Sequence, residues 1–214
     1  MYKYILFDFD GTVFDTVEGI TKSVRYALNK RNLDAPLESL RCFAGPPLGL
    51  TFMEKYGYDE EEAKRFVADY RERYVPIGLY ECSVFPGIRE MLEALRDKGV
   101  KLGIATLKPL HMARTLLEKE NMLQLFDISC GADPDKMHET KAEILGRAMR
   151  ELGAEAESTI YVGDTKFDVG GAHGCGVKCI GVKYGYAAEG ELLEAGADYL
   201  ADTVEELKEL LMTL

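Results

Sequence analysis

The run Tyr4-Ile5-Leu6-Phe7 leads without a spacer into Asp8-Phe9-Asp10-Gly11-Thr12. A short apolar run closed by a Gly reads as a buried strand with a break after it. Two residues along an extended chain span roughly 6–7 Å and point to the same face. Asp8 and Asp10 are therefore aimed from one strand end into one small space, with room for a phosphorus atom and a metal ion between them. One carboxylate can attack while the other handles a proton, the division of labour that phosphoryl transfer needs. Alone, Asp-x-Asp-Gly also suits an ordinary turn, so the rest of the chain has to decide.

Three further pieces bear on that decision. The apolar run Val100–Ala105 ends in Thr106-Leu107-Lys108-Pro109, where a hydroxyl and backbone amides before a helix make an anion-binding corner. Its plainer reading is a βα turn with Pro109 in the first helical turn. Lys141 opens the amphipathic segment 140–152, a usual place for a solvated charge unless an anion sits nearby. Finally, Thr159-Ile160-Tyr161-Val162 runs into Gly163-Asp164-Thr165-Lys166-Phe167-Asp168. Asp168 suits an N-cap for the next helix, whereas Asp164 directly follows a strand and a Gly. With Asp8 and Asp10 it offers three oxygen donors at strand ends, a hard-cation site of the Mg²⁺ kind.

Periodicity organises the chain around these points. Residues 17–31, 37–56 and 59–75 carry helical spacing, with capping-box spacing at Asp15/Glu18 and Asp59/Glu62. From residue 86 onward helix and strand alternate. Helices are predicted at 88–98, 111–120, 140–152, 168–174, 189–194 and 203–212. Strands are predicted at 100–105, 126–130, 159–163, 177–182 and 198–200. The expected fold is α/β, a Rossmann-like, mainly parallel sheet with helices on both faces. Residues 16–81 read as an inserted all-helical cap, and 1–15 with 82–214 as the core, because a crossover of about 65 residues is long for one βαβ unit. Ligands in such sheets bind at the strand carboxyl ends, where every piece above falls.

Composition narrows the partners. The net charge of −11 disfavours nucleic acid and anionic membranes, while a small phosphate ester can still meet local cations. No apolar run approaches the ~18 residues of a membrane span. The five cysteines contain no Cys-x-x-Cys pair, and the chain opens directly into its first strand; both point to reduced thiols and a cytoplasmic setting. The three histidines are scattered, which argues against a His-based zinc site and suits surface or packing roles.

Taken together, the segment 8–15, Thr106, Lys141 and the segment 163–168 resemble, in order and spacing, the four motifs of the haloacid dehalogenase superfamily of phosphohydrolases. The likeness spans essentially the whole chain. Gly45-Pro46-Pro47-Leu48, Phe85-Pro86-Gly87-Ile88, Thr106-x-Lys108-Pro109 and Gly181-Val182-x-x-Gly185-Tyr186 are similar to the phosphoglycolate phosphatase-like branch. The resemblance implies that Asp8 is the nucleophile of an aspartyl-phosphate and Asp10 the acid for the leaving alcohol and base for water. It implies Mg²⁺ held by the Asp8 carboxylate, the Asp10 carbonyl and Asp164, with Asp168 close by to orient metal-bound water or Lys141. Thr106 and Lys141 would hold the phosphoryl oxygens. A phosphate dianion repels an attacking carboxylate, so metal and Lys are needed to neutralise it.

Two positions depart from the family pattern. Leu107 stands where Ser or Asn is usual, which keeps the backbone amide and loses a polar side chain at the site mouth. Residues 134–139 replace a short Gly/Arg-containing loop. Both bear on substrate identity. The expected substrate is a small phosphomonoester: 2-phosphoglycolate first, a nucleoside 5′-monophosphate close behind. Arg41 or Lys22 would read a second anionic group beside the loop at Gly45. A β-phosphoglucomutase-like reading is weakened by Ile20, where such mutases carry His, and a dehalogenase by Asp10, which has no use there. A non-enzymatic phospho-acceptor of the receiver kind lacks an insertion after its first strand. Oligomeric state is open.

Overall fold

The structure is a computed structural model and describes residues 2–133 and 139–214. The unusual loop expected at 134–139, and His138 within it, fall outside the described residues except for Glu139. The chain forms two compact units, Met1–Phe14 with Val84–Leu214, and Asp15–Ser83.

The larger unit contains β1 (Tyr4–Phe7), α4 (Ile88–Asp97), β4 (Lys101–Pro109), α5 (Leu110–Lys119), β5 (Ile128–Ala132) and α6 (Lys141–Leu152). It continues with β6 (Thr159–Gly163), α7 (Lys166–Gly174), β7 (Lys178–Val182), α8 (Glu191–Glu194), β8 (Tyr199–Ala201) and α9 (Val204–Thr213). Its six strands form one parallel sheet in the order β5-β4-β1-β6-β7-β8. β1 is central because the chain first adds β4 and β5 on one side, then returns to add β6, β7 and β8 on the other. That reversal beside β1 is where open α/β sheets bind ligands.

Alternate residues of the strands face opposite sides, and both sides are buried. Leu6, Ala105, Tyr161 and Cys179 pack with Ile144, Leu145 and Ala148 of α6 and Val169 and Ala172 of α7. Ile5, Phe7, Leu102, Ile104, Ile160 and Val162 point the other way and are equally buried. The apolar stripes of α4, α5 and α9 supply that cover. In α4 the buried residues are Ile88, Met91, Leu92 and Leu95, at the 3–4 spacing of one helical face. Each such side chain contributes about 1.5–3 kcal/mol of burial, so Leu92→Ala should cost ~2–5 kcal/mol with its cavity.

The smaller unit is helical: α1 (Val17–Asn29), a 3₁₀ segment at Leu37–Phe43, α2 (Leu48–Tyr56), α3 (Glu60–Tyr74) and a 3₁₀ turn at Gly78–Tyr80. The chain passes between the units through β2 (Phe14–Asp15) and β3 (Ser83–Val84), which pair with each other. In the helical unit the buried Phe66 ring stacks on Phe52 and lies tilted against Phe43.

Several local expectations need correction. The helical spacing of about 37–56 is realised as a 3₁₀ segment, not an α-helix, at Leu37–Phe43 and as α2, divided by Gly45 at φ +101° and by the punctuating Pro46-Pro47. Thr16, not Asp15, stands at the N-cap of α1, and Asp15 Oδ1 accepts from the Val17 N–H instead. Asp59 does cap α3 through the Glu62 N–H. β4 does not stop at Ala105; it runs on to Pro109 through a register shift between Thr106 and Pro109. β5 starts two residues later than predicted.

Candidate active site

The site is built on the carboxyl ends of β1, β4 and β6, three neighbouring strands. Asp8 follows β1, and its N–H donates to the Val162 carbonyl of β6 at 2.8 Å. Its side chain is buried. Lys141 donates to Asp8 Oδ1 at 2.6 Å and pairs with Asp168 Oδ1 at 2.8 Å. Lys141 comes from the first turn of α6, which is fixed by a capping box between Thr140 and Glu143. The Lys therefore reaches inward, and the solvated-charge reading does not hold.

Asp164 is completely buried at the end of β6. Its Oδ1 accepts from the Thr12 hydroxyl at 3.3 Å and its Oδ2 from the Tyr186 N–H at 2.8 Å. The carboxylate fits because two glycines let backbone come close. A Cβ on Gly11, which sits at φ +84°, would collide with it, and a Cβ on Gly185 would lie 2.5 Å from its Oδ2. Asp168 is not the N-cap of α7. Thr165 holds that place, and Asp168 reaches back so that its Oδ2 accepts from Thr165 N–H (2.9 Å), Thr165 Oγ1 (2.7 Å) and Asp164 N–H (3.2 Å). With Oδ1 on Lys141, Asp168 acts as the brace that orients the Lys.

The Asp10 side chain pairs with Lys108 at 2.9 Å. Thr106 is buried, and its hydroxyl accepts from the Lys108 N–H at 3.1 Å. Leu107 is half-buried against the α6–α7 face of the core. In the helical unit, Lys22 pairs with Glu18 and with Glu81, the latter at 3.2 Å. Arg41 is exposed in the 3₁₀ segment, and Gly45 follows it in the turn. The structure thus brings together Asp8, Asp164, Asp168 and Lys141 and adds an Asp10–Lys108 pair. Sequence reasoning gave no role to Lys108, to Thr12 or to the Tyr186 amide. Lys108 and Tyr186 were visible only as parts of short family-like stretches, with nothing to say what they touch.

Electrostatics follow from crowding. Burial pushes the Asp8 carboxyl up to about 6; Lys141 opposes the shift while Asp168 and Asp10 add to it. Burial, Asp168 and Asp8 push Asp164 well above the usual carboxylate range, against the Tyr186 N–H and Lys141. Burial works against the charge of Lys141, but Asp168 and Asp8 outweigh it and hold the ammonium protonated. Three buried carboxylates thus face one ammonium, a local excess of negative charge. Oxygens of Asp8, Asp164 and Asp168 lie within 4.8 Å of one another. An all-oxygen anionic set of this kind fits a hard divalent cation.

Comparison with known proteins agrees with this arrangement. A sequence model of the haloacid dehalogenase-like hydrolase family matches residues 5–182. A 5′-nucleotidase from Pseudomonas aeruginosa is 43% identical over 192 residues, which are 89% of this chain and 87% of that one. The tyrosine-protein kinase PtkA of Mycobacterium tuberculosis is 33% identical over 212 residues, 98% of this chain and 72% of that one. The crystal structure of a predicted phosphatase from Clostridium acetobutylicum superposes with a TM-score of 0.97 at 40% identity, covering 100% of both chains. With the family's sequence model, its fold and its carboxylate-bearing strand ends all found here, the chain belongs to the haloacid dehalogenase-like hydrolases.

Proposed function

We propose that this hydrolase cleaves small phosphomonoesters through an aspartyl-phosphate on Asp8, with Mg²⁺ held at Asp8, Asp164 and the Asp10 carbonyl, and that nucleoside 5′-monophosphates are its favoured substrates. The observation that carries the reading is Asp8 itself: a buried carboxylate, one oxygen fixed by Lys141, with oxygens of Asp164 and Asp168 within 4.8 Å. Bound there, Mg²⁺ supplies charge neutralisation for the phosphate and the attacking carboxylate.

The chain's own residues account for the remaining steps. Lys141 and Thr106 hold phosphoryl oxygens, and Asp168 keeps Lys141 on line. Asp8 forms a bond to phosphorus as the ester P–O bond breaks, and protonated Asp10 gives its proton to the departing alkoxide. Ionised Asp10 then takes a proton from water as the water oxygen bonds to phosphorus and the Asp8–phosphorus bond breaks. Asp10 is protonated again at the end, so one water is consumed and no other proton is needed.

Two observations favour a nucleotide over 2-phosphoglycolate. The 43%-identical relative is named 5′-nucleotidase. Lys22, one of the two cations expected to read a second anionic group, is engaged by Glu18 and Glu81. No helix among the described residues is long and apolar enough to cross a membrane, and none of the five cysteines forms a disulfide among them. The second fact supports a cytoplasmic setting.

The test is kcat/KM with Mg²⁺ for 5′-AMP, 5′-UMP, 2-phosphoglycolate and glucose 6-phosphate. The expected result is a preference of at least about tenfold for the nucleotides, the effect of a few added leaving-group contacts. A preference for 2-phosphoglycolate overturns the substrate assignment. Phosphate transfer from ATP to a protein tyrosine, without phosphate release from any monoester, overturns the hydrolase reading altogether.

A further inference from the structure

The bulge at the end of β4 carries a residue to which neither the motifs nor the mechanism above gives a part. Thr106 pairs with Gly131 of β5 and Pro109 with Ala132, so Leu107 and Lys108 stand opposite no residue of their own. Extra residues of this kind bend a strand and re-aim its side chains. Here the Thr106 hydroxyl, accepting from the Lys108 N–H, closes the bulge. The Lys108 side chain is thrown toward the end of β1, the neighbour of β4, where its ammonium meets Asp10 across 98 residues of sequence.

The contact is close and enclosed. Lys108 Nζ lies 2.9 Å from Asp10 Oδ1 and 3.3 Å from Oδ2, so one ammonium straddles both oxygens. The Lys108 side chain is 3% exposed and that of Asp10 14%. The ammonium sits 5.6 Å from the centre of the Phe9 ring. An ammonium withdrawn from water in this way needs an anionic partner, and Asp10, the group that must reach the leaving oxygen, is such a partner.

We propose that Lys108 is a positioning residue for Asp10: donating to Oδ1, the nearer oxygen, it fixes the plane and place of the carboxyl group and leaves Oδ2 to give and take the proton in the two halves of the reaction. The inference rests on the acid/base reading of Asp10 above. Its physical basis is that an acid works only when its O–H, and the same group as a base only when its lone pair, is directed at the reacting oxygen, and small misplacements cost large factors. One bulge would then set both the Thr106 hydroxyl on the phosphoryl group and the acid on the leaving group.

The experiment compares Lys108→Met, Lys108→Arg, Asp10→Asn and the double variant Lys108→Met/Asp10→Asn. Each is assayed on 5′-AMP, with a poor alkyl leaving group, and on p-nitrophenyl phosphate, with a good one. The readout is kcat/KM, which reports the step in which the leaving group departs. Asp10→Asn should lose about 10²-fold or more on 5′-AMP and far less on p-nitrophenyl phosphate. Lys108→Met should show the same asymmetry at about 10- to 100-fold, and Lys108→Arg should recover part of it. The double variant should be no worse than Asp10→Asn alone, because residues acting as one unit are not additive. Far-UV circular dichroism and a melting curve confirm the fold of each variant, and Lys108→Gln replaces Lys108→Met if the latter fails to fold. Equal losses on both esters, or losses that multiply in the double variant, overturn the proposal. If Asp10→Asn itself shows no leaving-group asymmetry, the acid/base reading fails first and the positioning role falls with it.

Discussion

The two units of the chain use charge in opposite ways. In the helical unit, cations and carboxylates meet in matched pairs at or near the surface. Arg31 reaches Glu62 at 3.0 Å and Asp69 at 2.7 Å, lying over the rings of Phe52 and Phe66. Arg73 forks onto Glu81 at 2.9 and 3.1 Å, and Lys30 spans Asp69 and Glu72. At the strand ends of the α/β unit a buried cluster is unbalanced among the described residues: Asp8, Asp164 and Asp168 lie together, and Lys141 pairs with two of them. Matched, partly wet pairs tie helices together and contribute little individually. A buried excess of one sign raises the free energy of the folded chain and marks the place where chemistry needs it.

That contrast can be broken most forcefully at Asp8. Asp8→Asn keeps the shape and removes the attacking charge, so phosphate release from any monoester should fall by several orders of magnitude while circular dichroism is unchanged. Next in size is Asp164→Asn, which should weaken Mg²⁺ binding about 10- to 100-fold by calorimetry and leave an enzyme that saturating metal rescues only in part. Retention of wild-type metal affinity would remove Asp164 from the site.

The helical unit should answer differently. Arg31→Ala breaks two ion pairs and a stacking contact with the side chain 10% exposed. It should lower stability by ~1–3 kcal/mol in urea titrations, yet change kcat on p-nitrophenyl phosphate by less than about threefold. A collapse of turnover without loss of stability would erase the distinction between the two units.

The smallest effect is a pH dependence. Asp8 binds its proton more tightly in the folded chain, at about 6, than when unfolded, near 3.8. Between those values the folded state holds the extra proton, so this group's contribution to stability falls as pH rises from about 4 to 6 and stays low above. In EDTA, Asp8→Asn should therefore raise the melting temperature relative to wild type by more at pH 7 than at pH 4. A difference independent of pH would contradict the buried-charge account.

Sequence alone revealed the parts of this arrangement that depend on a strand ending in an acid. Asp8 and Asp164 follow short apolar runs, and the helix–strand alternation after residue 86 sets the sheet that aligns them. The inward reach of Lys141 was half legible: Thr140-Lys141-Ala142-Glu143 has capping-box spacing, and that box fixes where the helix starts. What stayed hidden depends on contacts between distant segments. Nothing near Lys108 indicates Asp10, because the bulge that joins them exists only once β5 is paired. Asp15 and Glu18 have the spacing of a cap, yet Thr16 takes the place, since local spacing cannot say which neighbouring side chain the entering chain will present. Asp168 read locally as a cap, while the family resemblance implied its place beside Lys141; it sits three residues inside the helix and pairs with that Lys.

The central claim is that phosphate passes through the Asp8 side chain. Enzyme turning over 5′-AMP with Mg²⁺ can be quenched in acid and reduced with borohydride, which converts an aspartyl-phosphate to homoserine, and then read by peptide mass spectrometry. The account predicts homoserine at position 8 and nowhere else, abolished in Asp8→Asn. Homoserine at another aspartate, or an unmodified Asp8 beside a phosphorylated residue of a different kind, would contradict it.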